Sequence, residues 1–256
     1  MDKGVKTISF NKGNAKVIAH RGLSAFETEN TLAAFIAAGN KSYYGIETDV
    51  HVTKDGKFII THDDNMSRIA GVDCVVEEST FDELRAINLY ECDAGVMDGD
   101  HTTLKTTKRK DLVPPSLDEY ISTCKKYGKV AVLELKNPMT KTNVADIYEI
   151  IKNIDYLKET IFISFCIENL IYLKEIDTTL TVQYLSCKID DINSNMPTVL
   201  KYGMDLDIGH WILTQELVND WKDKGLKVNV WTPCNPKDAE RLVSYGVDFI
   251  TTNILE

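Results

Sequence analysis

The sequence predicts an α/β fold: a TIM-type (β/α)8 barrel with a small cap inserted after its third strand. Three observations carry that prediction. Short β-type runs recur along the chain, and most are separated by helix-like stretches, the alternation expected of a parallel sheet. Their number within 256 residues suits a closed barrel better than an open sheet. Charged and titratable residues crowd the ends of several runs, and barrel enzymes assemble their chemistry at the C-terminal ends of their strands.

Taken in order, VIAH (17–20) opens the series and leads into the amphipathic TLAAFIAAGN. GIETDV (45–50) comes next, then KFIITH (57–62). Between IETDVHV and FIITH lie only the residues TKDGK, too few for a crossover helix and a hairpin signal instead. Folding about Asp55 sets Thr48 roughly opposite His62, with Glu47 and Asp49 on the other face of their strand. From about 63 to 115 the rhythm is lost. One helix, STFDELRAINL, has Ser79 or Thr80 as N-cap and Glu83 in its first turn. The remainder, ECDAGVMDGDHTTLKTTKRKDLVPP, is polar and weakly periodic, and it is long for a plain loop. A cap or lid over the catalytic face is the expectation. VAVLELK (130–136) then precedes the helix-like NVADIYEIIKNI, and IFISF, LTVQYL, MDLDIG, LKVNVW and VDFITT complete the set. Without repeats, low-complexity tracts or a linker, residues 1–256 are expected to form a single domain with an insertion at about 63–115.

Composition narrows the function classes. Hydrophobic residues at 43% and charged residues at 27% are ordinary for a globular chain, and at this length roughly three quarters of the unfolded surface can be buried. A net charge of −10 argues against broad nucleic-acid or anionic-membrane binding. It leaves room for an anionic substrate, because a metal or a few cations reverse the field locally. The six cysteines are scattered, with no C-x-x-C pair, and read as reduced thiols. The N-terminus lacks the apolar core of a signal peptide, and no apolar run approaches the ~18 residues of a membrane span. A cytoplasmic, soluble protein with no stable membrane association is expected, as monomer or homodimer.

The chemistry-bearing residues sit at strand ends. His20 and Arg21 close the first strand, Glu47 and Asp49 lie on the second, His62 closes the third, Glu134 and Lys136 lie on the fourth, and Trp231 ends a late strand. Carboxylates pointed at one place repel one another unless a cation joins them. Glu47, Asp49 and Glu134 offer hard oxygen donors for Mg²⁺ or Ca²⁺; zinc is less suited, with no cysteine or tight histidine pair nearby. His20 and His62 suit general acid–base work. Arg21 and Lys136 complement an anion, with arginine able to grip a phosphate bidentately. Taken together, these groups describe a site for cleaving a phosphate ester. Each element alone is weak: HRG is commonly a loop, E-x-D commonly a solvated strand face, and a tryptophan such as Trp231 commonly core. His51, His101 and His210 receive no role.

The joint pattern resembles the glycerophosphodiester phosphodiesterase family. The resemblance is carried by AHRG and ENTLAAF within 19–35, ETDVHVTKDGKFIITHD at 47–63, LELK at 133–136, ISF at 163–165, VWT at 230–232 and GVDFITT at 246–252. It implies a barrel enzyme that hydrolyses glycerophosphodiesters to glycerol 3-phosphate and an alcohol. Residue by residue, it implies His20 and His62 as the catalytic histidines, Arg21 as phosphate contact, and Glu47, Asp49 and Glu134 as ligands of Mg²⁺ or Ca²⁺. Lys136 matches the lysine beside the third ligand, and Trp231 the late aromatic near glycerol or head group. Attack by water and attack by the neighbouring glycerol hydroxyl both fit. Three departures stand out: Thr28 replaces the usual proline before ENT, Pro233-Cys234 follows WT, and Thr252-Asn253 replaces the closing TD. Rival readings are a lysophospholipid phosphodiesterase of the same barrel group, a metal-dependent aldolase, and a non-catalytic barrel that binds a phosphorylated metabolite. The first lacks a basic amphipathic segment here, the aldolase would not require both HRG and HD, and the binding barrel would have lost a catalytic or ligand position.

Overall fold

The computed structural model describes residues 6–98 and 101–256. β1 (Lys16–Ala19) runs into α1 (Leu32–Gly39), whose N-cap Thr31 accepts from the Ala34 amide. β2 (Gly45–Val52) turns back through Gly56 into β3 (Phe58–Ile60). The insertion then contributes α2 (Ser67–Ala70), α3 (Phe81–Arg85), β4 (Tyr90–Asp98) and β5 (His101–Lys108). From α4 (Leu117–Tyr127) onward strand and helix alternate: β6 (Val130–Leu135), α5 (Lys141–Asn153), β7 (Thr160–Ser164), α6 (Ile167–Ile176), β8 (Thr181–Ser186) and α7 (Ile189–Tyr202). β9 (Asp205–Gly209), α8 (Gln215–Asp223), β10 (Val228–Trp231), α9 (Pro236–Tyr245) and β11 (Phe249–Thr252) finish the chain.

β1, β2 and β6 to β11 pair in parallel, and β1 bonds to both β2 and β11, so the sheet closes into the expected barrel. β3 stands outside these parallel staves. It pairs antiparallel with β2 in the register Val50↔Ile60, His51↔Ile59, Val52↔Phe58, and the Thr61 amide donates to Asp49 O at 3.1 Å. Continued two residues, that register sets Thr48 across from His62, as the turn at Asp55 and Gly56 predicts.

The period of two along each strand divides the barrel into two cores. Inward-facing Ile18, Val132, Ile161, Ile163, Leu185 and Phe249 fill its interior. Outward-facing Val17, Ile46, Leu133, Phe162, Leu206 and Val230 belong to the larger layer under the helices. On the inward face, two residues beyond Ile18, Val132 and Ile163, stand His20, Glu134 and Phe165. One strand face therefore supplies packing at its start and cavity-lining side chains at its end.

The insertion has a small core of its own, in which Met66, Ile69, Val76, Leu84, Leu89 and Leu112 pack with Ile59 of β3. Its helix carries the Thr80–Glu83 capping box that the sequence predicts, but ends at Arg85, short of the 79–89 run. The stretch read as a polar lid is an antiparallel hairpin, β4 with β5. β-Branched Thr102, Thr103, Thr106 and Thr107 favour an extended chain there, but no apolar alternation marks the strand. Thr28 ties that hairpin down. Its hydroxyl donates to Tyr90 O at 2.8 Å and accepts from the Cys92 amide at 3.1 Å, bonds that a proline could not make.

Tyr120 of α4, fully buried, braces the two strands that carry the acidic residues: its hydroxyl reaches Ile46 O at 2.7 Å and Val132 O at 3.2 Å. Tyr120→Phe is expected to lower the unfolding free energy by ~1–2 kcal/mol. Denaturant unfolding measures it, and an unchanged midpoint would deny the brace any role.

Candidate active site

The loop after β1 is shaped by two backbone requirements. Arg21 has φ 54° and Gly22 φ 79°, both in the left-handed region that disfavours side chains. A Cβ on Gly22 would lie 2.7 Å from the carbonyl carbon of Ala34, so HRG needs its glycine. The turn aims the Arg21 amide at Glu47 Oε2, 2.8 Å away. It also buries the guanidinium against Glu29, with Nη1 donating to Oε1 at 2.8 Å and Nε lying 3.7 Å from Asp49. ENT is thus loop support of a specific kind. Thr31 caps the helix, while Asn30, at φ 54°, donates to Asp49 Oδ2 at 2.8 Å and accepts from Thr48 Oγ1 at 2.7 Å.

Glu47, Asp49 and Glu134 are 3%, 1% and 8% exposed, with one carboxylate oxygen of each within 4.8 Å of the others. Burial and the Asp49 charge push the Glu47 carboxyl well above its ordinary range. Burial is also the main cause that raises Glu134 to about 7, against Lys136, with Asp49 adding to the rise. Asp49 goes the other way: burial opposes ionisation, but His62, Lys136 and Arg21 hold its carboxyl well below normal. Lys136 Nζ lies 3.0 Å from Glu134 and 3.6 Å from Asp49. Three hard oxygen donors this close fit Mg²⁺ or Ca²⁺, whose oxygen ligands lie ~2.0–2.6 Å from the ion.

Both imidazoles are fixed. His20 Nδ1 is 2.7 Å from Asn253 Oδ1; a carbonyl oxygen only accepts, so Nδ1 carries the proton and Nε2 points its lone pair toward Glu47, 3.9 Å away. Burial and Arg21 push the His20 pKa down to about 3, so the ring is neutral. His62 Nδ1 pairs with Asp63 at 2.8 Å, and burial is the main cause lowering its pKa. Asp63 accepts from Arg68 Nε at 2.6 Å, and Arg68 grips Glu29 with both terminal nitrogens, at 3.1 and 2.7 Å. His62, Asp63, Arg68, Glu29 and Arg21 therefore form one continuous hydrogen-bonded chain, and three of its five members, Asp63, Arg68 and Glu29, lie outside the predicted site positions. His51, fully buried, reaches His62 O with Nε2 at 3.3 Å and supports that turn from below.

The six predicted residues His20, Arg21, Glu47, His62, Glu134 and Trp231 line one cavity of about 140 Å³; Asp49 and Lys136 complete the cluster through the contacts above. His101, given no role from sequence, lines it too. It accepts from Arg21 Nη1 at 3.0 Å and stacks edge-on against His62, with centroids 5.9 Å apart. Phe165, Leu185 and Asp207 form the remaining wall together with Ile163 and Thr251. Trp231 stands between Phe165 and Trp211 in perpendicular ring contacts, with centroids 5.9 and 5.1 Å away. Among the described residues no helix is long and apolar enough to cross a membrane.

Carboxylates, imidazoles and buried cations converging at the mouth of a parallel barrel are the equipment of an enzyme that works on phosphodiesters. Residues 20–256 match the model of the glycerophosphoryl diester phosphodiesterase family, and the chain belongs to that family. A glycerophosphodiester phosphodiesterase of Caldanaerobacter subterraneus subsp. tengcongensis is 28% identical over 243 residues, 93% of either chain. The crystal structure of a glycerophosphodiester phosphodiesterase from Parabacteroides distasonis matches with a TM-score of 0.72 at 27% identity, covering 94% of this chain and 93% of that one. An Oleispira antarctica phosphodiesterase, solved with its product sn-glycerol-3-phosphate, shares the fold with a TM-score of 0.77 at 24% identity over 96% of each chain.

Burial raises and the Arg21 and Arg68 charges lower the pKa of Glu29, whose carboxyl ends well below its usual range. Glu29→Gln leaves the buried Arg21 without its nearest counter-charge, and a loss of ~3–5 kcal/mol in unfolding free energy is expected. His101→Ala, at the rim, is expected to lose under about 1 kcal/mol. Equal losses in chemical unfolding would contradict the ranking.

Proposed function

We propose that the protein hydrolyses glycerophosphodiesters to glycerol 3-phosphate and an alcohol, with a divalent cation and two histidines. One observation carries this reading: in a member of this family, Glu47 and Glu134 of the buried trio line one cavity with His20, His62 and Arg21, and Asp49 lies against Arg21. The sn-glycerol-3-phosphate product bound by the Oleispira antarctica phosphodiesterase supports the substrate class. Glu47, Asp49 and Glu134 would hold Mg²⁺ or Ca²⁺, which when bound withdraws charge from the phosphate. Arg21 clamps the phosphate oxygens, oriented by Glu29, and Lys136 adds positive charge from the β6 side. One of His20 and His62 takes the proton of the attacking oxygen, and the other protonates the leaving alcohol. Trp231 packs against glycerol or head group. The barrel and its inserted hairpin act as one unit, since Arg68 and His101 of the insertion both reach the Arg21–Glu29 pair.

Release of glycerol 3-phosphate from glycerophosphocholine, with added Mg²⁺ or Ca²⁺ and again in excess chelator, tests the reading. Turnover that chelation abolishes is expected. No turnover of any glycerophosphodiester contradicts the function, and full activity in chelator contradicts the cation. Lysophosphatidylcholine, run alongside, is expected to be the poorer substrate. His20→Ala and His62→Ala should each lower kcat by ~10²–10⁴-fold.

The raised carboxyls set a pH dependence. Glu47 and Glu134 hold protons above their ordinary range, and a cation must displace them. Cation affinity should therefore weaken as pH falls through about 7, the value reached by Glu134. Activation curves across roughly pH 5 to 8 measure it; a half-saturating concentration independent of pH would speak against the assignment.

A further inference from the structure

The charged half of the cavity is occupied by the residues described above, but its inner wall holds a carboxyl that the proposed chemistry does not use. Asp207 of β9 is 1% exposed and lines the cavity. It pairs in register with Leu185 of β8 on one side and Asn229 of β10 on the other. Its Oδ1 has no hydrogen-bond partner among the described residues. Trp231 lies two residues past Asn229 on the neighbouring strand and so faces the same interior. Its indole Nε1 is buried and lacks a partner too. A buried polar atom is destabilising unless something supplies its partner, and both residues line the cavity.

The chemistry of the pair selects its ligand. An indole N–H can only donate, whereas a carboxylate accepts. A group that serves both must donate and accept, and an alcohol hydroxyl does so. A phosphate oxygen would meet repulsion at an ionised Asp207, and a quaternary ammonium offers neither donor nor acceptor. Burial, with Glu134 adding, holds the Asp207 carboxyl well above its usual range; a hydroxyl complements it in either state, donating to the carboxylate or accepting from the acid.

We propose that Asp207 and the Trp231 indole form a hydroxyl-reading subsite, which takes a free hydroxyl of the glycerol moiety and makes Asp207 a specificity-determining residue. The inference rests on the glycerophosphodiesterase reading above and deepens it: the enzyme would favour esters of a polyol over simple alkyl esters of the same charge. A site built to pair with a hydroxyl discriminates strongly against the analogue lacking it.

The test is calorimetric binding of sn-glycerol 3-phosphate and of ethyl phosphate to the full chain with Mg²⁺ or Ca²⁺ present. The wild type is expected to prefer glycerol 3-phosphate by ~10-fold or more. Asp207→Leu should bring the ratio near one, Asp207→Asn should keep most of it, and Trp231→Phe, which keeps a ring but removes the N–H, should lower it. Circular dichroism checks that each variant is folded; if Asp207→Leu is not, the wild-type ratio and the Trp231→Phe ratio still decide. A wild-type ratio near one, or a ratio unchanged in the folded variants, overturns the subsite. Failure of the wild type to hydrolyse glycerophosphocholine contradicts the function instead, so the two failures are distinct.

Discussion

Confinement of three carboxylates in a space where water cannot screen them is the constraint on which the rest of this site depends. Glu47, Asp49 and Glu134 converge within 4.8 Å, each less than a tenth exposed. Buried like charges cannot all ionise without compensation. The protein compensates unevenly. Asp49 receives Lys136, Arg21, His62 and the Asn30 amide and stays ionised, whereas Glu47 and Glu134 are left to take up protons. A divalent ion would displace the protons that these two raised carboxyls favour, which is why the trio is proposed as a cation site.

That arrangement explains the construction around it. The strands that carry the acids, β2 and β6, are neighbours in register, with Glu47 opposite Val132 and Asp49 opposite Glu134. Tyr120 braces both from outside the sheet. The rim network then links barrel to insertion: Arg68 and Asp63 lie in the inserted segment, yet their ion pairs end on Glu29 and His62. Thr28 fastens the hairpin from below. Arg21 is consequently held by partners on both sides of the mouth, and its orientation depends on elements far apart in the chain.

The barrel and all eight proposed site residues were legible in the sequence because their signals are local. Period-two alternation fixes which face of a strand turns inward, and a short turn around Gly56 fixes the hairpin register that carries His62 toward Asp49. What was not legible depends on distance. His101 lies in a polar stretch 80 residues from the arginine it contacts, and nothing at that distance in sequence marks a meeting. Glu29 looks like helix-start chemistry until Arg21 and Arg68 are seen to flank it. Asp207 sits in MDLDIG with a regular inward position, but an inward acid on a barrel strand gains meaning only from what the neighbouring strands place beside it. The hairpin of the cap was missed for another reason: threonines and lysines that alternate without an apolar face give a weak strand signal.

The central claim is that the trio is one cation site, and a direct titration of Mg²⁺ or Ca²⁺ into chelator-treated protein tests it. The account predicts one ion bound per chain, with proton release on binding, and loss of that binding in Glu134→Gln protein that retains its fold. Binding of unchanged affinity and stoichiometry in that variant, or no binding to the wild type, would contradict it.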